Sequence, residues 1–237
     1  MEIDYDVRAT LEENLDSDIP CILELFKGKD ISQLSIAEIP SNKDRNIALC
    51  KYFNKVEMYD INQQVIQNLK NTYQINNLKF DICDFTNVSK INVDCLISMR
   101  QSFQMFDLGM LRNFFKSLKL NNNIKYLVFD LYNFNSKDML YAPSYLTNSC
   151  VVKSRVDNVI YLRKTSFKVI ENKVYLCHRY FQDGNLCFKH NIYMFNHNVK
   201  DIIHLLKEYG YKFVIYNKNY DKQFQSEYQI FFVEVLW

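Results

Sequence analysis

The sequence contains only four glycines (Gly28, Gly109, Gly184 and Gly210) and three prolines in 237 residues. With so few chain breakers there is no Pro/Gly/Ser-rich linker and no low-complexity tract to mark a domain boundary. No apolar run approaches the ~20 residues of a membrane-spanning helix. The opening segment MEIDYDVRATLEENLDSD is acidic and polar, unlike the apolar core of a secretion signal. Neither sign of charge prevails. The 29 Lys and Arg against 27 Asp and Glu give +2, with no basic stripe that would select nucleic acid or an anionic membrane. The seven cysteines (Cys21, Cys50, Cys83, Cys95, Cys150, Cys177 and Cys187) are odd in number and lack C-x-x-C spacing. They read as reduced thiols of a cytoplasmic protein. P-loop, H-E-x-x-H and Ser-His-Asp signatures are missing, so nothing supports NTPase or hydrolase chemistry.

What is present is a 48% hydrophobic content, enough for a sizeable core, in a pattern that alternates strand and helix. Helices are expected at 19–28 (stopped by Gly28), 43–53, 61–74, 107–120 and 198–209 (stopped by Gly210). Strands are expected at 34–39, 55–60, 78–83, 93–98 and 124–131. Alternation of this kind argues for a parallel sheet with right-handed crossovers. Residues 157–195 change character, alternating apolar and polar with no helix, and Asp183-Gly184 is a hairpin-turn signal. About three antiparallel strands are expected there. Two strands, 211–216 and 228–236, close the chain.

The chemistry centres on IAEIPSNKDRNIALCKYF, residues 36–53. A strand ending in Glu38 runs through a turn into a helix. This resembles the first motif of class I S-adenosylmethionine-dependent methyltransferases, E/D-x-G-x-G-x-G-R-N. Glu38 takes the acid position, Pro40, Asn42 and Asp44 stand where the family has glycines, and Arg45 and Asn46 match the residues that follow. Asn and Asp tolerate left-handed backbone better than most residues, whereas Pro removes an N–H and fixes φ. Asp60 ends the second strand 22 positions after Glu38, where an acid accepts hydrogen bonds from ribose hydroxyls; the simpler reading is a helix cap.

The resemblance implies further roles. Ile61 would lie beside the adenine. Asp84 and Phe85 would hold and cover it, though a turn Asp and a core Phe describe them equally well. The stretch SMRQSFQMF (98–106) resembles the segment beneath the sulfonium that faces the substrate. Ser98 would line the cofactor, and Gln101, Ser102, Phe103 and Tyr132 the acceptor. Ser98 or Ser102 could equally be a helix cap. Tyr5 and Tyr141 are weaker candidates for a lid and the acceptor pocket. The layout is similar to small-molecule N-methyltransferases of the sugar amine type. It implies an α/β doubly wound, mostly parallel seven-stranded sheet with a C-terminal antiparallel pair, formed by residues 1–156 and 196–237. The inserted antiparallel β-sheet at 157–195 would cover the active site.

The implied function is S-adenosylmethionine-dependent methylation of a small-molecule amine or hydroxyl, without nucleic acid or membrane partners; a homodimer is compatible with it. The alternative is a methyltransferase-like domain that has lost catalysis and serves as a binding or scaffold protein. A nicotinamide-binding domain ranks last, because G-x-G-x-x-G is missing. Methyl transfer needs alignment and a base for a protonated acceptor. His178 and His190 are the base candidates if they face the cleft, and no base is assigned. No metal is expected. A two-residue turn at Asp183-Gly184 would pair Cys177 with His190 and Tyr180 with Cys187, placing His178 and Cys187 on the opposite face from Cys177 and His190. Four such ligands cannot converge on one ion.

Overall fold

The computed structural model describes residues 18–40, 43–134, 149–154, 158–217 and 228–235. Strand and helix alternate as the periodicity predicts: α1 (Asp18–Leu25), β1 (Ser35–Glu38), α2 (Lys43–Leu49), β2 (Lys55–Asp60), α3 (Gln63–Thr72), β3 (Leu78–Ile82), β4 (Cys95–Ser98), α4 (Leu108–Lys119) and β5 (Tyr126–Tyr132). Next come β6 (Ser149–Lys153), β7 (Ile160–Ile170), β8 (Lys173–Gln182) and β9 (Asn185–Phe195), then α5 (Val199–Glu208), β10 (Lys212–Tyr216) and β11 (Tyr228–Glu234).

Helix boundaries shift where side chains cap them. The helix expected at 61–74 starts after Asn62, whose side chain accepts from the amides of Gln64 and Val65. Ile61 is thereby left outside the helix. The helix expected at 107–120 is capped by Asp107, which accepts from Met110 N, so neither Ser98 nor Ser102 caps it. The helix expected to reach residue 53 ends at Leu49, and the amides of Lys51 and Tyr52 turn back to the carbonyls of Ala48 and Leu49. β4 starts at Cys95 rather than at 93, because the Asp94 carboxylate bonds the amide and hydroxyl of Ser35 and the Lys125 ammonium.

The chain forms two compact units. One comprises residues 15–131 and 197–237. Its seven-stranded sheet runs β10-β11-β5-β4-β1-β2-β3, parallel from β5 to β3, with β10 and β11 antiparallel. Alternating strand side chains build two cores. On one face Ile36, Val56, Met58 and Ile97 pack with Ile22 and Phe26, Leu49, and Ile66 and Leu69. On the other, Ala37, Leu96, Phe129 and Phe231 pack with Phe114, Phe115 and Leu118 of α4 and Leu205 and Leu206 of α5. No helix among the described residues is long and apolar enough to cross a membrane.

The second unit, described over residues 132–134, 149–154 and 158–196, carries the antiparallel sheet β6-β7-β8-β9. Asp183 (φ 50) and Gly184 (φ 81) form the expected left-handed two-residue turn. The pairing beyond it corrects the sequence expectation. A bulge at Tyr180/Phe181 shifts the register by one, so Cys177 faces Asn191, His178 faces His190 and Tyr180 faces Phe188. Cys187 is the extra residue. Phe181 pairs with Leu186, and the next rung joins Tyr180 to Phe188.

Candidate active site

In the seven-stranded sheet, β1 lies between β2 and β4, so its winding reverses between β1 and β4. Ligands of open α/β sheets bind at the carboxyl ends of the strands at such a reversal. The sequence-predicted residues Glu38, Asp60 and Ser98 are the last residues of β1, β2 and β4, which brings all three to this edge.

Glu38 is fully buried and shares the face of Ile36. A lone carboxylate there would carry a large desolvation cost. Helix α2 supplies its partners: Arg45 Nη1 pairs with Oε1, and Asn46 Nδ2 donates to Oε2 at 2.5 Å. The Arg45-Asn46 pair therefore fixes the strand acid and ties the end of β1 to the first turn of α2. Ile39 and Pro40 are joined by a cis peptide bond. Asp44 stands half-buried in the first turn of α2, where a negative charge suits the helix dipole. Asn42, like Tyr5 and Tyr141, lies outside the described residues.

Asp60 is buried, and its Oδ1 accepts from Asn62 N at 2.9 Å. The helix cap is Asn62 instead. Ile61 is 70% exposed, and Ile82, the register partner of Asp60 on β3, is 49% exposed. A buried acid thus has two exposed apolar neighbours, one next to it along the chain and one across the strand pair. Ile61 was singled out from the sequence and Ile82 was not, its only signal being an apolar residue at the last position of a strand. Asp84 turns back on its own loop, accepting from Thr86 N and Oγ1 at 2.8 Å. Phe85 is buried, stacked on Phe106 (3.8 Å, 4°) and on Phe114 (4.6 Å, 16°). Burial, with Asp84 and Asp81 nearby, pushes the Cys83 thiol up to about 11, so it stays protonated.

The Ser98 side chain is fully buried, and its Oγ has no hydrogen-bond partner among the described residues. Ser102 Oγ donates to Met99 O at 2.6 Å and starts a 3-10 turn over Ser102–Met105. Phe103 is a core residue, stacked on Phe129 at 4.1 Å. Gln101 is buried, with its amide N and Nε2 directed to Asp130 at 2.6 and 3.3 Å. Asp130, which was not singled out from the sequence, also accepts from Arg100 N at 3.0 Å and Tyr228 Oη at 2.6 Å. His197 was not singled out. Its Nε2 donates to Phe106 O at 2.8 Å, and burial holds its pKa below the ordinary histidine value despite that bond. Tyr132 is buried at the end of β5 and meets Phe134 edge-on at 4.9 Å.

In the four-stranded sheet, His178 is buried with Nδ1 2.9 Å from Thr165 Oγ1, and its ring lies parallel to that of His190 at 6.4 Å. No group of three or more metal-ligating side chains occurs among the described residues.

This sheet order, with its terminal antiparallel pair and its acids at the carboxyl edge, is the class I S-adenosylmethionine-dependent methyltransferase fold. Among solved structures, the chain is similar to the SAM-bound amino pentose methyltransferase of calicheamicin biosynthesis from Micromonospora echinaspora. That match has TM-score 0.70 and 8% identity and covers 100% of both chains. It is similar to a sugar N-methyltransferase from Streptoalloteichus, with TM-score 0.70, 11% identity and coverage of 99% of this chain and 93% of that one. It is also similar to an S-adenosylmethionine-dependent methyltransferase from Clostridium acetobutylicum, with TM-score 0.63, 16% identity and coverage of 98% and 92%. No protein-family model and no curated protein matches the sequence.

Proposed function

We propose that the protein is an S-adenosylmethionine-dependent methyltransferase acting on an amine of a small molecule of the amino sugar type. The observation that carries the reading is the edge formed by β2 and β3. There the buried Asp60 stands beside Ile61 and Ile82, which remain in solvent although exposure gains neither anything. A carboxylate flanked by two apolar side chains suits a nucleoside, whose sugar offers vicinal hydroxyls and whose base offers a flat apolar face. Ser98 adds a buried hydroxyl on β4 that lacks a partner among the described residues, an arrangement with a free-energy cost of about 1–3 kcal/mol unless a ligand or water completes it. These residues fit the cofactor. Its chemical contribution is an electrophilic methyl group on a sulfonium.

The chain's own residues bind and orient. Asp60 accepts from the ribose, Ile61 and Ile82 cover the adenine, and Ser98 Oγ meets the part of the molecule that reaches β4. Glu38 acts at one remove, because its carboxylate is held by Arg45 and Asn46 and joins the end of β1 to α2. Phe85 and Phe103 support the site from the core, as their stacked rings indicate. Gln101 and Ser102 shape the loop after β4 on the acceptor side. The amine as nucleophile and the amino sugar as acceptor class rest on the likeness to an amino pentose methyltransferase and a sugar N-methyltransferase.

Calorimetry with S-adenosylmethionine tests the cofactor, and release of S-adenosylhomocysteine over a panel of amino sugars and their hydroxyl counterparts tests the acceptor. Binding with transfer to amines alone is expected. An absence of binding at millimolar cofactor would end the reading. Binding without transfer to any acceptor would favour a non-catalytic role.

A further inference from the structure

The segment after β4 has an unusual backbone. Arg100 (φ 60) and Gln101 (φ 57) are consecutive non-glycine residues in the left-handed region. Each is disfavoured in isolation, so the conformation persists only where something holds it. Asp130 holds it. The Asp130 side chain on β5 is fully buried and accepts two successive backbone amides, Arg100 N at 3.0 Å and Gln101 N at 2.6 Å. Consecutive amides converging on an anion form an anion nest. Here the anion is the protein's own carboxylate. Gln101 Nε2 and Tyr228 Oη also donate to it, the latter from β11.

We propose that Asp130 is a positioning residue that locks the Arg100–Gln101 backbone into the shape that receives the sulfonium and amino acid end of the cofactor. The inference rests on the cofactor reading above and adds a role for an acid that touches neither cofactor nor acceptor. The placement follows from strand spacing. Asp60 on β2 and Ile82 on β3 take the adenosine, and the sheet continues β2-β1-β4. Neighbouring strands are about 4.8 Å apart, so the end of β4 lies roughly 10 Å from that of β2. The far end of a molecule anchored at β2 and β3 therefore reaches the loop after β4, which starts at Ser98 and bends at Arg100 and Gln101. Asp130 acts on that loop through two backbone amides.

The test uses the full chain and its Asp130→Asn variant, titrated with S-adenosylmethionine and with methylthioadenosine, a thioether that lacks the amino acid portion and the positive charge. Asn retains one acceptor oxygen and presents an N–H where the other stood, so part of the nest is lost. Asp130→Asn is expected to weaken S-adenosylmethionine about tenfold, the scale of one hydrogen bond to a charged group, and to change methylthioadenosine less than about threefold. Adding Arg100→Gly and Gln101→Gly to that variant removes the left-handed penalty and is expected to recover part of the loss. An equal loss for both ligands, or no loss, overturns the positioning role while the cofactor reading stands. Failure of the wild-type chain to bind either ligand overturns the cofactor reading and this inference with it. Should Asp130→Asn fail to fold, Tyr228→Phe, which removes one donor and leaves both amides, is expected to give the same selectivity at about threefold; equal or zero loss there overturns the role as well.

Discussion

Arg45 and Glu38 form an ion pair in which neither side chain reaches solvent, joining the first turn of α2 to the last residue of β1. Asn46 takes the remaining carboxylate oxygen at 2.5 Å. The end of β1 and the start of α2, separated by a stretch without glycine, are thus tied together by side chains.

Removing one partner leaves the other charge buried and unmatched. Arg45→Leu is expected to lower unfolding free energy by about 3–5 kcal/mol, read from urea denaturation. The Glu38→Gln/Arg45→Leu double variant is expected to lose less than the sum of the single losses. Additive losses would mean that the two side chains do not act as a pair.

Ile61 and Ile82 are exposed, so truncating them has little to disrupt. Ile61→Ala and Ile82→Ala are expected to keep stability within about 0.5 kcal/mol. Each is expected to weaken S-adenosylmethionine by about tenfold, through lost apolar burial of about 1–2 kcal/mol. Calorimetry beside thermal melts separates the two effects, and unchanged affinity would remove the adenine from this edge.

Phe85 should behave in the opposite way. It stacks between Phe106 and Phe114 within the core, so Phe85→Ala is expected to cost about 3–5 kcal/mol of stability. A melt shifted by less than 1 °C would contradict its placement in the aromatic stack.

His197 is held neutral by burial while Nε2 donates to Phe106 O. Its folded pKa lies below the unfolded value of about 6.5, so the unfolded chain binds the extra proton first as pH falls. Its contribution is intact above about pH 6.5 and is lost on acidification toward the folded pKa, by at most about 1.4 kcal/mol per pH unit for one proton. His197→Gln keeps a donor near Nε2 and cannot titrate. Its stability is expected to fall less than that of the wild type between pH 7 and 5.5 in urea melts; parallel curves would exclude His197 as a source of the slope.

Gly184 has φ 81, and an added Cβ there would meet no atom within 4 Å. Gly184→Ala therefore isolates the backbone term, and a loss of about 1 kcal/mol is expected. A neutral result would mean that the turn relaxes.

Much of the fold was legible because its signals are local. Helical spacing of Leu108, Leu111, Phe114, Phe115 and Leu118 marks one apolar face; the last four are in the core, and Leu108, in the first turn, is exposed. The β8–β9 register was misread because a bulge depends on the fit of two strands, and no residue between Tyr180 and Phe188 announces it. The site divides in the same way. Glu38, Asp60 and Ser98 stand out in the sequence because each closes a strand. Asp130 was missed as a clamp because its partners are 29, 30 and 98 positions away in sequence.

By itself the amino-acid order determined the alternation of elements, the acids that end the strands and the left-handed turn at Asp183-Gly184, since periodicity, strand ends and backbone preference act between neighbours. Only the tertiary structure decided which acids are engaged by protein groups, which aromatics are core and which isoleucines are left in solvent. Those outcomes depend on the desolvation and close packing of groups that meet only when β1, β4, β5 and β11 lie side by side.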